Sequence, residues 1–432
     1  MVRMWAAEQE RGGSIYLASA YATGTAHLEK FHVVTGQEEA FTYATPAVLQ
    51  AASPNTDHPF VLAYINGSHR WNPPSNGTYA ETCYARSDHD KQYYLKSDDW
   101  STYQMDFAKP AWIEQVIADS EEAIANGMNG VFLDTMGPDP VQNGRTECYA
   151  NGTATPWGES NPSGGTAYNW STHTAYTVSE WLHASRHLIM RVREALRPSS
   201  GPEPIVMANG LVRGYHYFTT GTDQLFDASP YACAEGYLHD GWASITAWPS
   251  ETRWQEEVNM LLDATSRGGV VFTLTKMWVT NPSQADLDKW HRFTLAAFLL
   301  GADGHHCMLW SANEANDAAN NYPEKRTALD HNKCYVWDTD WDMSIGYPTD
   351  VLNYPTEDVT DYKITHSPGY YYRRAFENGL VLTNPTTTAL TNISLGGNYT
   401  RASSKMVPSE TPSGTITTID LGSRESAILL KA

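Results

Sequence analysis

The sequence predicts an α/β fold, a (β/α)8 barrel followed by a small C-terminal antiparallel β-sandwich domain, and three observations carry this. Wholly apolar runs such as Val131-Phe132-Leu133 suit strands covered on both faces, and a parallel barrel contains such strands. These runs alternate with segments of helical period, an alternation that reaches the strand number of a TIM barrel. From about Tyr370 the pattern changes to period two with turn residues between runs, as in Gly379-Leu380-Val381-Leu382, Ile416-Thr417-Thr418-Ile419 and Ala427-Ile428-Leu429-Leu430. The expected domains are a barrel over residues 1–365 and a β domain over residues 366–432.

Taken in order, Ile15–Tyr21 is a first strand candidate, followed by a helix-compatible piece over 46–52. Phe60–Ile65 is a clearer strand, ending in the polar loop Asn66–Trp71 and a long polar insertion to about Ser101. Thr102–Phe107 is a weaker strand that carries Asp106. Pro110 suits a first helical turn, after which Trp112, Ile113, Val116, Ile117 and Ile124 recur at helical spacing and Gly127 supplies the stop. The strand after it ends on Asp134, and Gly137 and Pro138 then turn the chain. A Gly-, Pro-, Asn- and Thr-rich region with Trp157 and Trp170 follows, too long for an ordinary connection and more like a binding loop.

Helical period returns through Trp181, Leu188, Val192 and Leu196, stopping before Pro198. Ile205–Gly210 is the next strand and presents Asn209. Leu225-Phe226 leads to the loop Tyr231–Tyr237, which presents Glu235. A helix through Trp254, Val258 and Leu261 precedes the strand Gly269–Thr275, followed by Lys276 and Trp278. The helix from Trp290 to Leu300 leads to the last strand, His305–Trp310.

Composition excludes several classes. The chain has 432 residues, with 29 basic against 49 acidic, so its net charge of −20 would repel a polyanionic backbone and argues against nucleic acid. The apolar run Phe293–Leu300 is too short for a membrane span, and no signal-type segment opens the chain, so a soluble protein is expected. Its compartment stays open, with an extracellular or cell-surface location favoured by the substrate proposed below. The five cysteines are widely spaced without C-x-x-C, so no zinc or redox motif is visible. His305 and His306 are neighbours and on a strand would point to opposite faces, which does not suit one shared metal ion. Asp338–Asp342 resembles the start of a calcium loop, but Met343 stands where the loop needs Gly. No nucleophile-elbow, zincin, P-loop or dinucleotide motif is present, and no cofactor or metal is expected.

Asp134 and Glu235 each follow a barrel-strand candidate, at the rim where barrel enzymes keep their active sites. Cleavage of a glycosidic bond needs two carboxyl groups flanking the scissile oxygen, and these two are the candidate pair. The bland alternatives are a helix cap or loop contact for Asp134 and a cap or ion pair for Glu235. Tyr64, Trp71, Tyr237, Trp242, Trp278 and Trp310 are candidate stacking platforms for sugar rings, although each alone reads more readily as packing. Asn66, Arg70, Asn209, Arg213 and Lys276 are candidate hydrogen-bonding groups. Asp106 is a further contact candidate, with a buried structural hydrogen bond as its alternative.

Gly130–Asp134 after a long helix, Met207-Ala208-Asn209-Gly210, Ala234–Tyr237, Phe376–Pro385 and Ser426–Leu430 together resemble the glycosyl-hydrolase-like barrel families. The resemblance covers most of the chain from about Pro110 onward and implies a barrel with a C-terminal β-sandwich and carbohydrate hydrolysis. An Asp after strand four and an acid after strand six are also arranged as in α-galactosidase-like retaining barrels, which implies Asp134 as nucleophile and Glu235 as acid/base. Those enzymes use Asp at the second place, where this chain has Glu. The expected function is glycoside hydrolysis of a polysaccharide or large oligosaccharide. A non-catalytic carbohydrate-binding protein on a barrel scaffold, as in cell-wall or phage-tail recognition, is the rival, and a lyase or transglycosidase would share the site.

Overall fold

The computed structural model describes residues 16–19, 33–36, 47, 60–97, 101–139, 145–155, 165–240, 243–276, 283–304, 306–312, 345–401 and 414–432. Eight parallel strands close into a barrel: β1 (Tyr16–Ser19), β2 (Val33–Gly36), β3 (Phe60–Asn66), β4 (Gly130–Asp134), β5 (Ile205–Asn209), β6 (Tyr231–Glu235), β7 (Val270–Lys276) and β8 (Cys307–Ala312). Each pairs with its neighbours in sequence, and β8 closes on β1. Every residue of β4 and β5 is buried, as their continuous apolar character requires. Where β4 begins, a side chain at Gly130 would collide with the backbone of Ile205, so only glycine lets these two strands meet there.

The strand expectations are corrected at three places. The second barrel strand is Val33–Gly36, a four-residue piece too short to announce itself by periodicity. Thr102–Phe107 is not in the barrel: only Tyr103–Gln104 is extended, and it joins a separate antiparallel sheet with His69–Arg70, Tyr94–Ser97 and Arg145–Cys148. Its mixed polar and apolar pattern suits a small half-covered sheet better than a barrel wall. This sheet is built from the loops that follow β3 and β4, so it sits on the C-terminal rim. Tyr231–Glu235, expected as a loop, is the barrel strand β6, and Leu225–Ala228 is the helical turn that leads into it. The helix-compatible piece 46–52 lies outside the described residues apart from Ala47.

The helices follow the apolar spacing. Helix α1 (Pro110–Ala125) begins on proline and buries Trp112, Ile113, Val116 and Ile117. Helix α2 (Val178–Ala195) is opened by a reciprocal Thr177–Glu180 capping box, which satisfies two otherwise orphaned amides. Ser250 and Ser283 cap α3 (Glu251–Ser266) and α4 (Gln284–Gly301) by accepting from the backbone N–H groups of Arg253 and Asp286. No helix among the described residues is long and apolar enough to cross a membrane.

The C-terminal module is antiparallel, with strands β9 (Lys363–His366), β10 (Gly369–Ala375), β11 (Gly379–Asn384), β12 (Leu390–Arg401), β13 (Ile416–Leu421) and β14 (Glu425–Lys431). Its sheet order is β9-β10-β11-β14-β12-β13. The long β12 pairs with β13 along its length and with β14 at its end, so the sheet curls over a core of Leu380, Leu382, Leu390, Ile393, Leu395 and Leu429. The module is fastened to the barrel by Arg374, whose buried guanidinium donates to the carbonyls of Leu299 (2.9 Å) and Leu300 (3.0 Å) at the end of α4. Those are carbonyls a helix end leaves without partners, and the cation also complements the negative end of the helix dipole. At the start of α3, Glu251 accepts hydrogen bonds from Tyr372 (2.6 Å) and Lys363 (3.3 Å) of the module.

Candidate active site

Four adjacent strands bring four polar side chains to the rim. In register, Asn66 of β3 lies opposite Asp134 of β4, and Asn209 of β5 lies opposite Cys233 of β6. Strand side chains alternate, so Glu235, two residues beyond Cys233, faces the same way one step nearer the opening. Tyr64 stacks on Phe132 inside the barrel, with ring centroids 6.3 Å apart, and its hydroxyl donates to Asp134 Oδ2 at 2.5 Å. Burial first, then the charges of Asp134 and Glu235, push the Tyr64 hydroxyl well above its ordinary range, so it keeps its proton and acts as a donor.

Asn209 joins the pair. Its Nδ2 donates to Asp134 Oδ1 at 2.6 Å and to Glu235 Oε2 at 2.5 Å. An amide nitrogen carries two hydrogens, one for each carboxylate. Both Asp134 oxygens are therefore met by donors, as suits a carboxylate acting as an acceptor. Asp134 is 9 % exposed, and Glu235 is half-buried nearer the solvent.

The loops that leave these strands are held under strain. Thr135, Val212 and Leu238, which follow β4, β5 and β6, all have positive φ, at 60°, 64° and 61°. For β-branched Thr135 and Val212 this conformation is costly, about 1–3 kcal/mol each, and persists only where the surroundings impose it. Backbone bonds across the rim impose it: Met136 N–H donates to the Asn209 carbonyl at 2.7 Å, and Gly67 N–H to the Asp134 carbonyl at 2.9 Å.

The remaining candidates divide. The Asn66 side-chain oxygen accepts from the backbone N–H groups of Ser68 and His69, so it organises the turn into the insertion. Arg70 is directed to helix α1, paired with Asp119 at 2.9 Å and lying 4.8 Å over the Trp112 ring, not toward the carboxylates. Asp106 is buried and accepts from Tyr176 and from the Ala108 amide, which fits its structural alternative. Arg213 follows β5 but is held by Asp240 at 3.0 Å. Tyr237 is fully buried, so it forms no cleft wall. Trp71 is 67 % exposed in the insertion. Trp310 and Lys276 are described only as backbone; Leu274 pairs with both Glu235 and Trp310, which places Trp310 level with Glu235. Trp242, Trp278, His305 and the 338–343 segment lie outside the described residues. Among the described residues no group of three potential metal-binding side chains converges, and Cys83, Cys148, Cys233 and Cys307 are buried free thiols.

Sequence reasoning missed the roles of Tyr64 and Asn209 more than their places. Tyr64 was expected as a stacking wall and is a donor to Asp134; Asn209 was expected to meet substrate and bridges the two acids. Their shared strand parity with Asp134 was the available signal.

No family model matches the sequence, and no curated relative does either. Solved structures that share the fold are glycoside hydrolase barrels. The dextranase FjDex31A of Flavobacterium johnsoniae, of family GH31 and complexed with glucose, matches at 8 % identity over 98 % of this chain and 52 % of its own, with a TM-score of 0.50. The glycoside hydrolase domain of PelA from Pseudomonas aeruginosa matches at 15 % identity over 68 % of this chain and 94 % of its own, with a TM-score of 0.41. A mutant of MutB in complex with its substrate sucrose matches at 9 % identity over 97 % and 99 % of the two chains, with a TM-score of 0.47. At such identities the likeness establishes the fold alone.

Proposed function

We propose that this chain hydrolyses glycosidic bonds in a polysaccharide or large oligosaccharide by a retaining mechanism. The observation that carries the reading is the single Asn209 nitrogen shared by both carboxylates. Two oxygens bonded to one atom lie no further apart than the two bonds end to end, about 5 Å. Retaining glycosidases hold their carboxyl groups about 5–5.5 Å apart, whereas inverting ones leave about 6.5–9.5 Å for a water molecule.

In this mechanism Asp134 Oδ attacks the anomeric carbon while Glu235, as the acid, gives its proton to the leaving oxygen. The C–O bond to the leaving sugar breaks as the bond to Asp134 forms. Glu235, now a carboxylate, takes a proton from water, whose oxygen attacks the same carbon and releases Asp134. Tyr64 and Asn209 hold Asp134 in line and stabilise the charge that returns to it. Glu235, as the more exposed of the two, stands on the side from which a leaving group and then water arrive.

The test is release of reducing ends from plant, fungal and bacterial-wall polysaccharides by wild type and Glu235→Gln, with the anomer of the first product read by NMR. Glu235→Gln is expected to lose on the order of 10²–10⁴ in rate, typical of a positioned acid. Equal rates would discard the assignment of Glu235, and an inverted first product would discard the mechanism. A glycan bound but left uncut by wild type would favour the recognition-module reading instead.

A further inference from the structure

Resting on the saccharide reading of the barrel, we infer that the rim insertion holds a second sugar site, selective for an acidic saccharide bearing a uronate carboxylate. A cavity of about 800 Å³ opens in this insertion, and neither Asp134 nor Glu235 lines it. Its walls come from the loops after β3 and β4, so it shares the rim with the carboxylate pair but is a separate hollow.

Two features of the lining fit such a sugar. The first is a pair of open aromatic rings: Tyr149 is 43 % and Trp170 42 % exposed. Each is braced from the side, Tyr149 by the edge of Tyr93 (5.5 Å, 86°) and Trp170 by the edge of Tyr168 (5.0 Å, 89°). Rings held this way offer a flat apolar surface at little ordering cost, which the apolar face of a pyranose can cover.

The second feature is positive charge where the chain as a whole is acidic. Arg86, Lys91 and Lys109 line the cavity with a single carboxylate, Glu81, against a net charge of −20 for the chain. Arg86 is offset by Glu81 at 3.4 Å and lies 3.6 Å over the Tyr94 ring. The two lysines are left facing the hollow. Lys91 makes no ion pair among the described residues and rests 4.7 Å over Tyr168. Lys109 rests 5.0 Å over Trp170 and makes a long ion pair of 3.9 Å with buried Asp106. Seated on rings, both ammonium groups are positioned at the hollow, and Lys91 is there without a carboxylate partner among the described residues. A neutral sugar would use the rings and leave this charge idle; a uronate uses both. A polyanion without sugar faces would use the charge alone and meet the acidic field of the rest of the chain.

The deciding experiment is calorimetric titration of the full chain carrying Glu235→Gln with tetramers of galacturonic acid and of glucuronic acid, each alongside its methyl ester. The acid form of at least one is expected to bind roughly tenfold more tightly than its ester, with the advantage shrinking as salt rises. Trp170→Ala should weaken acid and ester together. The double variant Lys91→Gln, Lys109→Gln should remove the difference between them. Equal affinity for acid and ester, no binding of either, or a preference that survives the double lysine variant would each overturn the inference. Hydrolysis of neutral glycans by wild type together with no binding of the acid tetramers would sink this site while the barrel reading stands. Binding of an acid tetramer with the expected variant effects, and no hydrolysis of any glycan, would support this site and sink the barrel reading.

Discussion

The barrel rim and the joint between barrel and C-terminal module both bury charge, and they do so in opposite ways. At the joint, Arg374 is met by helix-end carbonyls and Glu251 by two tyrosines and a lysine, so each charge finds donors or acceptors of the complementary kind. At the rim, two acids are drawn toward one another over a single amide, and the three loops around them carry strained backbone. Two carboxyl groups brought this close cost stability, because one of them must hold a proton it would otherwise release, and positive φ at a β-branched residue costs stability too. The joint is arranged for stability, whereas the rim carries the strain that the proposed chemistry would use.

Substitutions can break this contrast. Asp134→Asn should lower sugar release by about 10³-fold or more, as removal of a nucleophile does, while thermal melting shows a stability equal to or above wild type because Glu235 no longer has to hold its proton beside a carboxylate. A matching fall in stability would mean that Asp134 is a structural carboxylate. Arg374→Leu should do the reverse. It strands several buried carbonyls, each costing about 1–3 kcal/mol, so the urea midpoint of the chain should drop clearly while the rate per folded molecule is kept. Lost activity in fully folded Arg374→Leu would show that joint and rim are not independent.

How much of this could be read from sequence differs between the same regions. The place of Asp134 was legible because it ends an apolar run, and a residue at a strand's end has a defined place on the rim; Glu235 was expected on a loop, whereas it ends strand β6. The period-two pattern after Tyr370 likewise gave away the module. Val33–Gly36 was not legible, since four residues carry too little periodicity, and Thr102–Phe107 imitated a barrel strand because local alternation says nothing about which sheet a strand joins. Arg70 and Arg213 were misjudged for another reason. Long side chains leaving the rim can turn inward or outward, and their partners Asp119 and Asp240 are remote in sequence or unmarked by any pattern.

A subtler probe lies just behind the rim, where Glu257 of α3 is fully buried and accepts from the Gly214 amide at 3.0 Å. Burial pushes its carboxyl up to about 7, with the Gly214 N–H and Arg253 opposing the rise. Below about pH 4.5 folded and unfolded chains both hold this proton and the group costs nothing. Between there and pH 7 the unfolded chain gives the proton up while the folded one keeps it, so stability falls as pH rises, by up to about 3 kcal/mol once pH exceeds 7. Glu257→Gln should remove that slope. Its stability relative to wild type should improve from pH 4.5 to pH 8 in denaturant titrations; parallel profiles would show that the acid carries no such burden.

The smallest effect sharpens the comparison most, because Tyr64 distinguishes a site arranged for chemistry from one merely packed. Its hydroxyl keeps its proton and donates to Asp134 Oδ2, which leaves Asn209 as the donor to the other oxygen. Tyr64→Phe deletes one oxygen and keeps the ring that stacks on Phe132, so packing is almost unchanged. A hydrogen bond to a charged group contributes about 1.5–3 kcal/mol, so kcat/KM should fall by about tenfold or somewhat more. With one donor gone and Glu235 still near, the Asp134 anion is less favoured, and the acid limb of the rate–pH profile should move to higher pH. A purely structural tyrosine would lower stability and leave that limb in place, which is the outcome that would remove Tyr64 from the site.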